Sequence, residues 1–258
     1  MRISLRTAFD SRLDDFKTSR LQDFKTPCSL STGARRYQRE DQDDSVKRRY
    51  RFKVQMLEIY NDMVNDMLEP GNSNLKIQAP SFRNEDSMTR VPDATIVEVE
   101  KIEDVHRIID QGTANRHVGA TKMNDRSSRS HMVFTIMVER LEESGEVKRG
   151  RLHLIDLAGS ERLNRSGAEG DRAVETISIN KSLSAIGRVL ASLGSNQRHV
   201  SFRDSAITRI LEDSLTGGRE KSKCMMFMHV APEASSAQET RGTLEFGKGV
   251  VDNVELRK

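Results

Sequence analysis

Asp156-Leu157-Ala158-Gly159-Ser160-Glu161 closes an apolar run, and it holds residue types that a nucleotide-phosphate site needs. A carboxylate at the end of a buried strand can hold Mg²⁺, usually through water. A glycine shortly after it can bring its bare N–H to a terminal phosphate. The tetrad D-x-x-G alone is common, and an ordinary strand-to-loop turn carries it equally well. Asn124–His131, NDRSSRSH, is more distinctive. Adjacent hydroxyls at Ser127 and Ser128, with Arg129 directly after, can coordinate magnesium, contact phosphate and neutralise charge. Taken alone, the same serines also suit a helix N-cap cluster that satisfies orphan N–H groups.

The elements that must position these motifs are legible in the hydrophobic pattern. Phe52, Val54 and Met56 alternate with Arg51, Lys53 and Gln55, the period of a strand that begins near Tyr50. Pro70-Gly71-Asn72 marks a turn, and Ala94–Val99 reads as a short β stretch. Glu103–Gly112 reads as a helix with Val105, Ile108 and Ile109 on one face and the glycine as its stop. Met132–Val138 and Arg151–Leu157 are apolar strands, joined by a charged hairpin connection from Glu142 to Gly150 that contains Gly145. Glu175–Leu193 is an amphipathic helix ended by Gly194-Ser195-Asn196, and Ser205–Leu215 is a second, closed by Gly217-Gly218. Cys224–Val230 reads as a buried strand stopped by Pro232, and a last helix runs from Ser236 to Phe246. Strands alternating with helices predict an α/β domain around a central sheet.

Residues 1–50 differ from the rest. Ser11–Thr18 and Ser19–Thr26 form a tandem repeat of SRLDDFKT and SRLQDFKT, and Arg35–Arg49 is almost wholly polar. The expectation is a separate, poorly ordered or weakly helical segment with no coiled-coil signature, followed by one domain over 51–258. Lys and Arg outnumber Asp and Glu by 12 to 8 in the first fifty residues and stand at 30 to 31 in the remainder. Net charge therefore does not argue for a polyanionic partner such as nucleic acid, and any acidic surface must be met by a local patch. No apolar run approaches the ~18 residues that span a bilayer, and the first residues lack the apolar core of a secretory signal. Cys28 and Cys224 match no metal-ligand spacing and read as reduced thiols of a cytosolic protein.

NDRSSRSH, then LIDLAGSER, then INKSLSAIGRVLASL, then FRDSAITRILEDSLTGG resembles the kinesin motor family in content, order and spacing. VQMLEIYNDMVNDML, ANRHVGATKMN and TLEFGKGVV fit the same pattern, so the resemblance covers roughly Arg51 to Leu256. GDRAVE and the closing VEL resemble the subfamily with C-terminal, minus-end-directed motors. The resemblance implies a P-loop-NTPase-like central sheet flanked by helices, with ATP and Mg²⁺ as ligands and microtubules as the partner. The expected location is the cytoplasmic cytoskeleton. It implies that Asn124–His131 is switch I, with Asn124, Ser127 and Ser128 at the nucleotide and Ser127 on the metal. Asp156–Glu161 would be switch II, with Asp156 the water-mediated magnesium partner and Gly159 the γ-phosphate sensor. Arg129 and Glu161 would pair as a latch over the nucleotide. The helix with Lys181 would be the relay helix, and Lys181, His199, Arg203 and Arg209 would face tubulin. Ser201 and Ala206 stand where the family commonly has proline and lysine, and one cation fewer weakens salt-sensitive binding.

The phosphate loop G-x-x-x-x-G-K-[ST] appears nowhere in the sequence. Gly33, Gly167, Gly170, Gly217 and Gly218 fail its spacing or its ending. The family's first strands and the loop-bearing central strand are likewise unrecognisable, so the sheet is expected to lack its N-terminal strands and expose an edge. Two functional readings remain from the sequence: a microtubule-stimulated ATPase motor, or a nucleotide-independent microtubule-binding module. A truncated product without a stable fold is the third.

Overall fold

The computed structural model describes residues 3–9, 49–79, 88–118, 129–159, 171–195, 197, 199–216 and 222–254. Its strands are β1 (Ile3–Phe9), β2 (Tyr50–Tyr60), β3 (Met63–Asp66), β4 (Val97–Val99), β5 (His131–Leu141), β6 (Val147–Asp156) and β7 (Ser222–Met228). Its α-helices are α1 (Ile102–Val118), α2 (Asp171–Gly194), α3 (Ala206–Ile210), α4 (Glu212–Thr216) and α5 (Ala237–Val254). The strands form one mixed-order sheet, β3-β2-β5-β6-β1-β7, with β4 paired to β2, and every described pairing is antiparallel. The α/β expectation holds.

Two apolar layers sandwich that sheet. Leu57, Ile59, Val133 and Ile155 face a core shared with Leu183, Ile186 and Leu190 of α2 and with Ile207 and Ile210 of α3. Val54, Met56 and Phe134 face the other way, toward Ile108 of α1. Alternate residues of β2 thus enter different cores, which is why its second half is buried on both faces while Arg51 and Phe52 stay exposed.

Several boundaries differ from the sequence reading for identifiable reasons. The helix from Ile102 does not stop at Gly112. A Cβ there would lie 2.4 Å from Met56 Sδ, so the glycine permits close approach of helix to sheet. The β5–β6 connection is shorter than expected, because Val147–Gly150 already pairs with β5 and only the turn around Gly145, at φ +83°, remains. The single helix expected over Ser205–Leu215 is two short ones, Ala206–Ile210 and Glu212–Thr216, separated at Leu211 (φ −87°, ψ −2°). β7 is not fully buried: Met225 and Phe227 are exposed, because it is the last strand of the sheet order.

Within residues 1–50, read from the sequence as poorly ordered or weakly helical, Ile3–Phe9 is a strand. This segment lies between β6 and β7, pairing with β6 over Ser4–Phe9 and with β7 over Ile3–Phe9. β1 thus lies next to β6 in the sheet order. Ile3-Ser4-Leu5-Arg6 alternates apolar and polar residues, which suits a strand, but the signal is short and lies in a polar context. The tandem repeat lies outside the described residues.

Candidate functional site

β5 and β6 run antiparallel with Met132 opposite Asp156, so the start of one strand and the end of the other share one end of the sheet. This register brings the described ends of the two motifs, Arg129–His131 and Asp156–Gly159, to the same end of the sheet, although they are far apart in sequence. Asp156 and Gly159 are half-buried there, and Arg129 is half-buried at the approach to β5. Asn124, Ser127, Ser128 and Glu161 lie outside the described residues, as does the proposed Arg129–Glu161 pair.

Behind the motifs sits a buried polar network. Ser130 Oγ donates to Glu58 Oε1 at 2.7 Å, and Arg116 Nη2 donates to Ser130 Oγ and the Ser130 carbonyl at 2.8 and 2.9 Å. Arg116 Nε stands 3.4 Å from Glu58 Oε1, with both side chains under one-tenth exposed. Next to it, the His131 ring lies between the chain after β6 and helix α2. Ala158 N–H donates to His131 Nδ1 at 3.0 Å, and His131 Nε2 is 2.7 Å from Ser182 Oγ. Burial pushes His131 down to about pKa 4, with Asp62 opposing and Arg116 reinforcing the shift.

Sequence reasoning did not single out Glu58, Arg116 or Ser182. A signal existed for the first: Glu58 interrupts the otherwise apolar MLEIY, and a carboxylate at a doubly buried strand position needs a cation.

The expected track-facing residues divide in two. Lys181, on α2, His199, in the chain after it, and Arg203, in the short 3₁₀ turn Phe202–Asp204, are exposed. Arg209 is half-buried, and its Nη2 donates to the Ile77 carbonyl at 2.7 Å. Arg203 and Arg209 both line a polar cavity of about 410 Å³ with Asp62, Asn74 and Lys76. The start of α3 is fixed by Asp62, whose carboxylate accepts from Ser205 Oγ at 3.1 Å and Ala206 N–H at 2.7 Å.

Among the described residues, no group of three or more His, Cys, Asp or Glu side chains is placed to hold a metal. A partial match to the phosphate loop, Gly242-x-x-x-x-Gly247-Lys248, escaped sequence reasoning, and it ends in Gly249 rather than Ser or Thr. It lies within α5, where backbone N–H groups are committed to the helix, and a Cβ on Gly247 would meet Met228 at 2.5 Å. That glycine serves packing. β1 does not supply the loop either: it runs antiparallel to β6, so its first residues, with Ser4 opposite Asp156, lie at the motif end. Its Phe9 end leads away. Among the described residues, Asp156 is of the type that could stand behind a magnesium ion held mainly by phosphate oxygens and water, and none forms a phosphate loop that would grip the triphosphate.

A family model, the kinesin motor domain, matches residues 27–252, beginning upstream of the boundary read at Tyr50. Kinesin-like protein KIN-14Q of Oryza sativa subsp. japonica is 46% identical over 80% of this chain and 21% of its own length. Kinesin-like protein KIN-14I of Arabidopsis thaliana is 46% identical over 81% of this chain and 21% of its own. The chain thus spans about a fifth of these curated relatives. Among solved structures, the C-terminal motor and motor homology domain of Kar3Vik1, fused to a synthetic coiled coil, matches at TM-score 0.66 and 38% identity. That match covers 78% of this chain and 51% of the other. The motor domain of Kar3 of Saccharomyces cerevisiae matches at TM-score 0.62 and 35% identity, over 78% and 60%. Kinesin motor domains as a family use ATP and Mg²⁺ and associate with microtubules of the cytoplasmic cytoskeleton. The motif order and these matches together make this chain a member of the kinesin motor domain family, within its C-terminal-motor branch.

Proposed function

We propose that this chain is the switch-bearing and track-binding part of a microtubule motor. In this reading Ser127, Ser128, Asp156 and Gly159 answer to a magnesium-bound γ-phosphate, with Asn124 at the nucleotide. Arg129 and Glu161 close as a latch, and Lys181, His199, Arg203 and Arg209 meet acidic tubulin. The observation that carries it is the Met132–Asp156 register, which supports a common site for the two motifs. The motor acts in the cytoplasm, on the microtubule cytoskeleton, and its partner is tubulin rather than nucleic acid or membrane.

A second reading, nucleotide-independent attachment to microtubules, is favoured by one specific observation. The 258 residues contain no G-x-x-x-x-G-K-[ST], and phosphoryl transfer depends on such a cradle for the β- and γ-phosphates. Co-sedimentation of the purified chain with microtubules separates the two. A non-hydrolysable ATP analogue should shift binding relative to no nucleotide if the switches read a phosphate. Equal binding in both would establish the second reading, and no binding in either would defeat both.

A further inference from the structure

The hydrogen-bond directions around His131 are fixed by its neighbours. A backbone N–H can only donate, so Nδ1, 3.0 Å from the Ala158 nitrogen, must be bare. The neutral ring then carries its proton on Nε2, which faces Ser182 Oγ at 2.7 Å. Ser182 Oγ in turn donates its proton to the Ile179 carbonyl at 2.7 Å, leaving a lone pair to accept from the imidazole. Every donor in the chain Ala158 N–H, His131, Ser182, Ile179 C=O has one acceptor. His131 and Ser182 are 3% and 5% exposed, so water does not compete.

We infer that His131 is a positioning residue that ties the backbone beside Gly159 to helix α2, so that the two move as one. Ala158 immediately precedes Gly159, and Ser182 immediately follows the exposed Lys181. A hydrogen bond is lost within a few tenths of an ångström beyond ~3.5 Å. Helix α2 therefore cannot shift by a fraction of a turn without breaking the Ser182 bond to the ring, pulling the ring off Ala158 or dragging that peptide with it. The ring itself is anchored by the strand: His131 begins β5, opposite Ile59 of β2. The consequence for function rests on the motor reading. A displacement of α2 at the track surface would reach the phosphate-sensing glycine through one imidazole.

The test uses the whole 258-residue chain. Nitrogen-15 NMR of labelled histidine should show His131 as the Nε2–H tautomer; an Nδ1–H ring overturns the inference. Amide hydrogen exchange then measures Ala158 relative to Val133, a core-strand reference that rises equally with any global loss of stability. Ser182→Ala should raise that ratio about tenfold, while Ser184→Ala, an exposed site on the same helix, should leave it unchanged. An unchanged ratio in Ser182→Ala overturns the link, and if that variant does not fold the tautomer still decides. Adding microtubules should alter Ala158 exchange in the native chain and not in Ser182→Ala; an equal response in both also overturns the link. If the chain does not bind microtubules at all, the motor reading fails, and the tautomer and exchange ratio alone judge the link.

Discussion

Arg116–Glu58 and Arg149–Glu139 are the same chemical pair in two surroundings. The first lies at the motif end of the sheet, 3.4 Å apart, with side chains 8% and 6% exposed. The second lies near the β5–β6 turn, 3.5 Å apart, with side chains 34% and 25% exposed. Glu139 is also shared with Lys53 at 3.1 Å. Although partial burial pushes its carboxyl up, Lys53 and Arg149 together hold it below the usual carboxylate range. A neighbouring cluster joins Glu142 to Arg140 and Lys148. The separations are nearly equal, so distance does not distinguish the two regions. Solvent does. A pair in water can exchange its partner for hydration at little cost, whereas a buried carboxylate that loses its cation has nothing to replace it.

The sharpest way to break this comparison is to remove the cation from each pair. Arg116→Ala removes the guanidinium from the buried Glu58 carboxylate and should cost about 3–5 kcal/mol in urea unfolding. Arg149→Ala should cost about 1 kcal/mol or less, since Lys53 remains on Glu139. Equal losses would show that burial is not what separates the two regions.

The next effect is pH-dependent. Burial holds His131 at about 4 and, with Arg151 reinforcing, His153 at about 3, both below the ordinary 6.5. The unfolded chain binds protons at these histidines first, so their stabilising contribution is complete above pH 6.5. It falls away as pH drops toward 4, at roughly 1.4 kcal/mol per pH unit for each. Glu139 behaves differently: its depressed carboxyl contributes above the ordinary carboxylate range and is lost only below it. Urea midpoints at pH 7, 5.5 and 4.5 should therefore fall steeply before the hairpin carboxylates titrate. His131→Asn should flatten the curve, and an unchanged slope would exclude His131 as a source.

The smallest effect tests whether the contrast extends to the proposed track surface. Arg203 is exposed, whereas Arg209 is half-buried and bonded to the Ile77 carbonyl. Arg203→Glu should weaken microtubule co-sedimentation severalfold, more at low salt than at high, without changing the unfolding midpoint. Arg209→Glu should weaken binding and also lower stability by about 1–3 kcal/mol, because a buried acceptor loses its donor. Unchanged binding by both variants at low ionic strength would remove this surface from the track interface.

The contrast between local pattern and burial also separates the elements that are legible in the sequence from those that are not. The strands over Tyr50–Tyr60, His131–Leu141 and Val147–Asp156 declare themselves because their apolar content is dense and their ends carry charge or turn residues. Helix α2 does so through Ile179, Leu183, Ile186 and Leu190 on one face. Gly112 misleads because a glycine that ends a helix and one that admits Met56 look alike in sequence. β1 escapes notice because seven residues in polar surroundings carry too little periodicity to outweigh their context.

What the sequence determined by itself was therefore the family and the α/β class. These depend on residue type and local order, which the chain carries directly. Only the tertiary structure decided that Met132 lies opposite Asp156, that β1 enters the sheet against the direction of β6, and that the side chains of Glu58, Arg116, His131 and Ser182 are buried near one another. Register, strand polarity and burial are relations between distant segments. They are set by which surfaces exclude water together, and no local pattern in this sequence encodes that choice.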